Sequence, residues 1–309
     1  MAGPVLVIGG RGFFGRRISE ALRTSGKEVL TGNRVSGDVA LDLLDPESIE
    51  AAICECRPGT VVCAAGVAAA ADAADDPAGC FRVNVGGTFN LLEQLGRHCR
   101  AARLVFISSA AVYAASADRL PEEAPTRPDS IYAASKLAAE MLCHQHAAAG
   151  RRTAVLRVFN LIGPGQPADQ APGEFARAAD TAMSLGKTEA TVKVRDPQIS
   201  RDYTDVRDAA RGVAMVIEKS ATGTFNLCSG KAVSLEELAG VFGEAASGPR
   251  PFRLELEGSL PPRPGDPGTV TGDPSRILEA TGWKANTPLR ESVADLLADL
   301  ESGAAKPEG

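Results

Sequence analysis

The chain has 309 residues, of which 44% are hydrophobic and 23% are charged, a composition typical of a soluble globular protein of one large or two modest domains. Its formal net charge of −6 argues against a nucleic-acid binder or a protein of acidic membrane surfaces, since both carry basic stripes. With no apolar run of membrane-spanning length, we expect no nucleic acid and no membrane among its partners.

The cysteines and histidines argue against a metal centre. The seven cysteines and three histidines contain no C-x-x-C pair and no cluster with metal-ligand spacing. The first residues, "MAGPVLVIGG", have no basic segment followed by a long apolar stretch, so no signal peptide is expected. Reduced thiols in the cytoplasm are the simplest expectation.

The first half of the sequence alternates short β-branched runs with longer helical stretches. The predicted strands lie in "PVLVIGG", "KEVLTGN", "DVALDL", "TVVCAAG", "ARLVFISS" and "RTAVLRVFN". Helices are predicted up to about residue 25 and over 46–56, 76–99 and 130–149. This alternation predicts an α/β fold, a doubly wound parallel sheet with helices on both faces.

The second half has a different character. "LIGPGQPADQAPG" (161–173) is a Pro/Gly-rich loop, followed by a predicted helix at 174–185 and a strand in "ATVKV". A helix over 202–219 is predicted to rejoin the first domain, followed by a strand in "GTFNLCS", a helix from Ser234, a strand near "FRLEL" and two terminal helices. We therefore assign 1–162 and about 200–222 to a nucleotide-binding domain. Residues 163–199 and 223–309 form a smaller α/β domain.

A glycine-rich turn follows the first strand. "VIGGRGFFG" spaces Gly9, Gly12 and Gly15 three apart between a strand and a helix. The first glycine permits a tight turn, the second lets the backbone approach a pyrophosphate, and the third allows close packing of strand and helix. The helix N-terminus offers unpaired N–H groups to phosphates. The pattern predicts a Rossmann-type dinucleotide site; a merely tight turn is the alternative.

The residues after the second strand bear on which dinucleotide binds. An Asp or Glu there would repel a 2′-phosphate, but "TGNRV" offers Asn33 and Arg34. We expect NADPH to be preferred, with NADH possible; the alternative is that Arg34 is a solvated loop residue. Asp42 can reach the adenine amino group. The other predicted cofactor contacts, at the helix start and the ends of strands, are Phe13, Phe14, Leu43, Ala64 and Ala65.

Catalytic candidates lie at the end of one strand and the start of the next helix. "VFISSAAVYA" ends a strand at the edge where ligands bind such sheets, and Ser108 or Ser109 can hydrogen-bond a substrate carbonyl or cap local backbone. Tyr132 and Lys136 lie at i and i+4 on the next helix. A nearby ammonium favours the tyrosinate, so Tyr132 can exchange a proton with a substrate oxygen. Taken alone, the pair can also be an ordinary helix surface.

Taken together, these motifs resemble the extended short-chain dehydrogenase/reductase superfamily, in the branch acting on nucleotide-activated sugars. "GGRGFFG", "RVNVGGTFNLLE", "SSAAVY", "YAASK" and "LRVFNLIGPGQ" match its pattern in order, and the match covers nearly the whole chain. The resemblance implies that Ser109 is the catalytic hydroxyl, that Tyr132 is the acid/base, and that Lys136 holds the nicotinamide ribose and tunes Tyr132.

The same resemblance implies a nucleotide-sugar site. Arg201 in "ISRDYTDVRD" and Arg263 in "RPGD" match arginines that contact phosphate, Asp266 matches a ligand of ribose hydroxyls, and Asn160 matches a contact to the sugar diphosphate. Two guanidiniums and an amide suit adjacent phosphates. The alternatives are surface salt bridges for the arginines and loop bracing for Asn160.

Absent residues narrow the expected reaction. By the resemblance, Ala110 and Ala111 stand where related dehydratases carry an Asp–Glu pair. Ala111 also stands where related decarboxylases carry a Glu and bifunctional epimerase–reductases a Cys. An NADPH-dependent 4-ketoreductase and a 4-epimerase with tightly bound NAD remain. Asn33 and Arg34 favour the reductase, and the sequence looks most like the GDP-4-keto-6-deoxymannose reductase group. The third hypothesis is a silent NADP sensor or scaffold. Family members commonly dimerise through the helices at 84–95 and 132–142, so a homodimer is expected; the alternative is that the apolar faces of these helices belong to the core.

Overall fold

The computed structural model describes residues 3–68, 70–114, 116, 118–247, 251–261 and 268–302. In chain order the strands are β1 Val5–Ile8, β2 Val29–Asn33, β3 Val39–Ala40, β4 Thr60–Cys63, β5 Arg103–Ser109, β6 Thr153–Val158, β7 Asn160–Ile162, β8 Glu189–Val194, β9 Ser200–Asp205, β10 Gly223–Leu227, β11 Ala232–Ser234, β12 Arg253–Gly258 and β13 Thr269–Val270. The helices are α1 Phe13–Thr24, α2 Pro46–Cys56, α3 Ala70–Asp75, α4 Pro77–Phe81, α5 Gly87–His98, α6 Ile131–Ala148, α7 Ala171–Ser184, α8 Val206–Glu218, α9 Leu235–Ala246, α10 Ser275–Thr281 and α11 Leu289–Glu301.

Seven parallel strands form the central sheet in the order β10-β6-β5-β4-β1-β2-β3. One face is covered by α1 and α8 and the other by α2, α5 and α6, each through a buried apolar cluster. The predicted doubly wound α/β fold is confirmed. Because the connections run to opposite sides of β1, a crevice opens at the carboxyl ends of β1 and β4, where ligands bind sheets of this kind.

The smaller sheets lie in the second half of the chain. β9 pairs with β7, β11 and β13, while β8 pairs in parallel with β12. Helices α7, α9 and α11 pack around them through a third apolar cluster, in which the rings of Phe175 and Phe242 meet edge to face at 5.9 Å. This arrangement gives the chain a second core beside the central sheet.

Two predicted elements and one domain assignment differ from the structure. The helix predicted over 76–99 is interrupted by a π-helical turn, Arg82–Gly86. The first part of the helix predicted over 202–219 is the strand β9, whose partners β7, β11 and β13 come from distant parts of the sequence. β10 was assigned to the smaller domain, but its backbone pairs with β6 in the large sheet. The division into two domains otherwise stays a prediction.

Local chemistry sets where the helices begin. Asp45 accepts a hydrogen bond from the Glu47 N–H and Pro46 is the first residue of α2, which is a favourable helix start. Ser130 caps α6 by accepting from the Ala133 N–H at 3.2 Å, so Tyr132 lies in its first turn. Within the described ranges, every helix is too short or too polar to cross a bilayer.

Candidate active site

The glycine turn after β1 forms a tight cradle with one open side. Gly9 has a φ of +82°, and a Cβ there would lie 2.7 Å from the Ala65 backbone nitrogen. A Cβ on Gly15 would collide with the Gly9 carbonyl oxygen, whereas one on Gly12 would meet only that oxygen, at 3.4 Å. Gly9 and Gly15 therefore serve the turn and its packing, and the space beside Gly12 leaves backbone open to a phosphate at the start of α1.

The ends of β2 and β3 present polar groups beside this cradle. The Asn33 side-chain nitrogen is buried and, within the described part of the chain, has no hydrogen-bond partner. A buried donor without a partner is costly, so this nitrogen fits a ligand acceptor. Together with the open side at Gly12, it makes the residues present compatible with a bound dinucleotide. Arg34 lies exposed in the following loop.

The other predicted cofactor contacts have structural roles as well. The Asp42 carboxylate accepts a hydrogen bond from the Leu44 N–H at 2.9 Å, which ties it into the turn before α2. Leu43 is buried, and its carbonyl accepts from Asn90 on α5 at 3.0 Å. Phe13 and Phe14 open α1, and Ala64 and Ala65 are half-buried at the end of β4. Their contacts with a cofactor stay a prediction.

The tyrosine–lysine pair lies at the carboxyl edge of the sheet. Tyr132 is half-buried, and Lys136 is 7% exposed. The Lys136 ammonium donates to the Ile107 carbonyl at 3.1 Å and lies 5.5 Å from the centre of the Phe106 ring. A Cβ on Gly66, just after β4, would lie 3.7 Å from the same nitrogen. The lysine side chain is therefore buried and held between the ends of β4 and β5.

The two serines at the end of β5 have different surroundings. Ser108 is 3% exposed, and its hydroxyl donates to the Glu140 carboxylate at 2.5 Å. Ser109 is half-buried, and its hydroxyl accepts from the Ala111 N–H at 3.2 Å. Because the hydroxyl of Ser108 is already committed to a buried carboxylate, the geometry supports Ser109 as the serine available to a ligand.

Asn84, within the motif "RVNVGGTFNLLE", has a structural role that the sequence pattern does not reveal. Asn84, in the π-helical turn, is 4% exposed. Its side chain accepts from the Val67 N–H at 2.9 Å and donates to the Val67 carbonyl at 3.1 Å and to the Ser135 hydroxyl at 2.9 Å. Asn84 thus fastens the segment after β4 to α6. The motif "RVNVGGTFN" contained this signal, but only the folded chain joins the three segments.

Two of the predicted substrate residues, Arg201 and Asn160, lie on or beside β9. Arg201 on β9 donates to the Ser200 and Gly268 carbonyls, both at 2.9 Å. Asn160 is exposed at the start of β7, in register with Tyr203 of β9. Arg263 and Asp266 lie outside the described residues. Arg201 therefore braces the segment that begins at Gly268. A role of any of the four residues in substrate binding stays a prediction.

The crevice, the glycine cradle and the tyrosine–lysine pair place the chain in the class of dinucleotide-binding oxidoreductase folds. Residues 5–228 match the model of the NAD dependent epimerase/dehydratase family. The chain belongs to that family, which bears out the resemblance seen in its motifs.

Relatives of two activities match most of the chain. GDP-6-deoxy-D-mannose reductase of Pseudomonas aeruginosa is 34% identical over 269 residues, 84% of this chain and 86% of that protein. UDP-glucose 4-epimerase of Bacillus subtilis is 27% identical and is covered to 95%, with 94% of this chain aligned. Among solved structures, RMD from Pseudomonas aeruginosa complexed with NADPH has a TM-score of 0.86 at 30% identity, covering 98% of this chain and all of that one. UDP-glucose 4-epimerase of Thermus thermophilus with NAD has a TM-score of 0.85 at 30% identity, covering 96% and 99%.

Proposed function

We propose that the protein is a nucleotide-sugar oxidoreductase that reduces the C4 ketone of an NDP-4-keto-6-deoxyhexose with NADPH, in deoxysugar biosynthesis. The observation that carries the proposal is the location of Lys136, between Gly66 and the Ile107 carbonyl beside Ser109. This location brings the tyrosine–lysine helix, the serine-bearing strand end and the cofactor side of the crevice together. The proposal is also supported by the similarity of the chain to GDP-6-deoxy-D-mannose reductase and to dTDP-6-deoxy-L-talose 4-dehydrogenase (NAD(P)(+)) of Kitasatospora kifunensis.

The residues divide the chemistry as follows. NADPH, when bound, supplies the hydride. Tyr132 donates a proton to the oxygen that becomes the C4 hydroxyl, and Ser109 donates a hydrogen bond that polarises the same oxygen. Lys136 holds the nicotinamide ribose, one helical turn from Tyr132 on the same face of α6.

The binding groups follow from the same proposal. Gly9, Gly12 and Gly15 with the start of α1 hold the cofactor pyrophosphate. Arg34 meets the 2′-phosphate, since a guanidinium pairs with phosphate more strongly than any neutral side chain; NADH remains the second cofactor. Asn160, Arg201, Arg263 and Asp266 bind the nucleotide diphosphate of the sugar.

A 4-epimerase with tightly bound NAD is the second candidate function. It is favoured by the UDP-glucose 4-epimerases among the relatives, which are 25–30% identical to the chain. Against it, β2 is followed by Asn33 and Arg34 rather than by an acidic residue. A catalytically silent sensor or scaffold is disfavoured because Tyr132 and Lys136 are both retained.

We also propose a cytoplasmic homodimer. Phe89 on α5 and Met141 on α6 are 52% and 63% exposed. Large apolar side chains on two packed helices suit a second copy of the chain.

The reaction is tested by mixing the purified enzyme with NADPH and GDP- or dTDP-4-keto-6-deoxyglucose-type substrates and identifying the product by NMR. We expect one NADPH to be oxidised for each sugar reduced. If neither ketone is reduced, while NDP-hexoses interconvert without added cofactor, the protein is to be assigned as the 4-epimerase instead of the reductase.

A further inference from the structure

A buried ion pair lies directly behind the catalytic edge of the sheet. The Glu140 carboxylate on α6 is paired with the Arg157 guanidinium on β6, with 0% and 6% of the side chains exposed. Arg157 donates from Nη2 to Oε2 at 2.8 Å and from Nε to both oxygens at 3.1 and 3.2 Å. The Ser108 hydroxyl of β5 donates to the same carboxylate at 2.5 Å. One helix and two strands therefore meet at a single side chain.

The helix presents its functional groups at a regular spacing. Tyr132, Lys136 and Glu140 are each four residues apart, so they follow one face of α6. Lys136 is bonded to the carbonyl of Ile107 and Glu140 to the side chain of Ser108. These two consecutive residues of β5 immediately precede Ser109, so the two contacts set the position of α6 against the serine.

A buried pair of this kind is not explained by stability alone. Removing two charges from water is costly, and well-packed apolar residues often stabilise a core as well or better. Burial is the largest single effect on the pKa of Arg157 and lowers it, but the hydrogen bonds and charge of Glu140, together with Tyr113, raise the pKa overall, so the guanidinium stays charged. A bidentate pair fixes both distance and direction, which is what a catalytic group needs.

We propose that Glu140, held by Arg157, is a positioning residue that fixes Tyr132 and Lys136 relative to Ser109 through its hydrogen bond with Ser108. The inference rests on the proposed function, because it assigns Tyr132 and Ser109 to the same substrate oxygen. Glu140 itself touches neither substrate nor cofactor.

The test uses a matched pair of serine variants. Ser108→Ala removes the hydrogen bond from Ser108 on β5 to Glu140 on α6 and leaves the Glu140–Arg157 pair intact. Ser292 provides the control, because it is 1% exposed and donates at 2.7 Å to Asp205, a carboxylate that is likewise paired with an arginine, Arg207. Both variants lose a buried serine–carboxylate bond, so both should show a similar fall in Tm.

Only Ser108→Ala should affect catalysis. Since misplacement by about 1 Å can cost roughly a hundredfold in rate, we expect kcat to fall at least about tenfold while the KM for NADPH changes little. The full-length Ser292→Ala enzyme should keep the wild-type kcat. Equal kcat values for the two variants would overturn the positioning role.

Amide hydrogen exchange makes the test independent of the reaction. Ser108→Ala should speed exchange of the α6 amides at 134–140, and Ser292→Ala should not. No change at 134–140 would overturn the proposal even if the substrate assignment is right. If the wild-type enzyme reduces no ketone, the proposed function fails, but the exchange result still decides whether Ser108 and Glu140 fix the helix.

Discussion

Replacing Tyr132 with phenylalanine should remove catalysis while sparing the fold. The side chain is half-buried in the first turn of α6, and its hydroxyl makes no hydrogen bond within the part of the chain that the structure describes. The ring is retained, so we expect Tm to change by no more than a degree or two. A positioned general acid contributes roughly 10²–10⁴ in rate, or about 2.7–5.4 kcal/mol at about 1.36 kcal/mol per factor of ten. We expect kcat to fall by about that factor.

Tyr113→Phe is the matched control. Tyr113 is 6% exposed, and its hydroxyl donates to the Asn226 side-chain oxygen at 2.6 Å. Burial raises the pKa of this phenol to about 12, so it remains a neutral donor. Deleting it leaves a buried acceptor unpaired, at a cost of about 1–3 kcal/mol.

The two variants are compared by kcat from NADPH absorbance, by NADPH affinity from fluorescence, and by Tm. Tyr132→Phe should lose kcat with NADPH affinity and Tm nearly intact, whereas Tyr113→Phe should lose Tm and keep kcat within about threefold, a factor worth less than about 0.7 kcal/mol. If Tyr132→Phe turns over normally, the tyrosine–lysine pair is only helix surface.

Three further predictions concern the cofactor, the pH dependence and the assembly. Arg34→Ala should raise the KM for NADPH about tenfold or more, because a charged hydrogen bond is worth about 1.5–3 kcal/mol, and should leave the KM for NADH unchanged; an equal effect on both cofactors would refute a 2′-phosphate contact. Burial would raise the pKa of Asp205, but the hydrogen bonds from Arg207 and Ser292 outweigh it and lower the pKa, so this carboxylate stabilises the fold above about pH 4. That contribution is lost as pH falls through the lowered pKa of Asp205. Asp205→Asn should therefore lower Tm at pH 7 and flatten the acid side of the Tm–pH curve. An unchanged acid side would contradict the role of Asp205. If the protein is the homodimer proposed above, light scattering should show a dimer mass for the wild type and a monomer mass for Met141→Arg. An unchanged mass in the variant would exclude this interface.

An element was predictable from the sequence where residues close together along the chain determine it. The helix Pro46–Cys56 has the bounds that the sequence predicts. Its start is set by two adjacent residues, the N-cap Asp45 and Pro46. The sequence pattern predicts helix for most of strand β9. It fails there because β9 pairs with β7, β11 and β13, which come from distant parts of the sequence. The π-helical turn also depends on distant contacts. Its Asn84 binds Val67.

The candidate site divides in the same way. The glycine turn and the tyrosine–lysine spacing are local patterns, and their order along the chain was enough to suggest the family. Glu140 and Arg157 are ordinary residues of a helix and a strand in the sequence. Their link to Ser108, which distinguishes the two serines, exists only once α6, β5 and β6 pack together.

Transfer of the hydride itself tests the central claim most directly. The enzyme is incubated with an NDP-4-keto-6-deoxyhexose and NADPH deuterated at both C4 positions of the nicotinamide, and the sugar product is examined by NMR. In the wild-type enzyme we predict deuterium at C4 of the sugar, in an amount equal to the NADP⁺ formed. In Tyr132→Phe we predict roughly 10²–10⁴-fold less deuterated sugar in the same time. The contradicting result would come from a parallel incubation with an NDP-hexose: formation of its C4 epimer without deuterium, with the added NADPH left unoxidised, would contradict the reductase assignment.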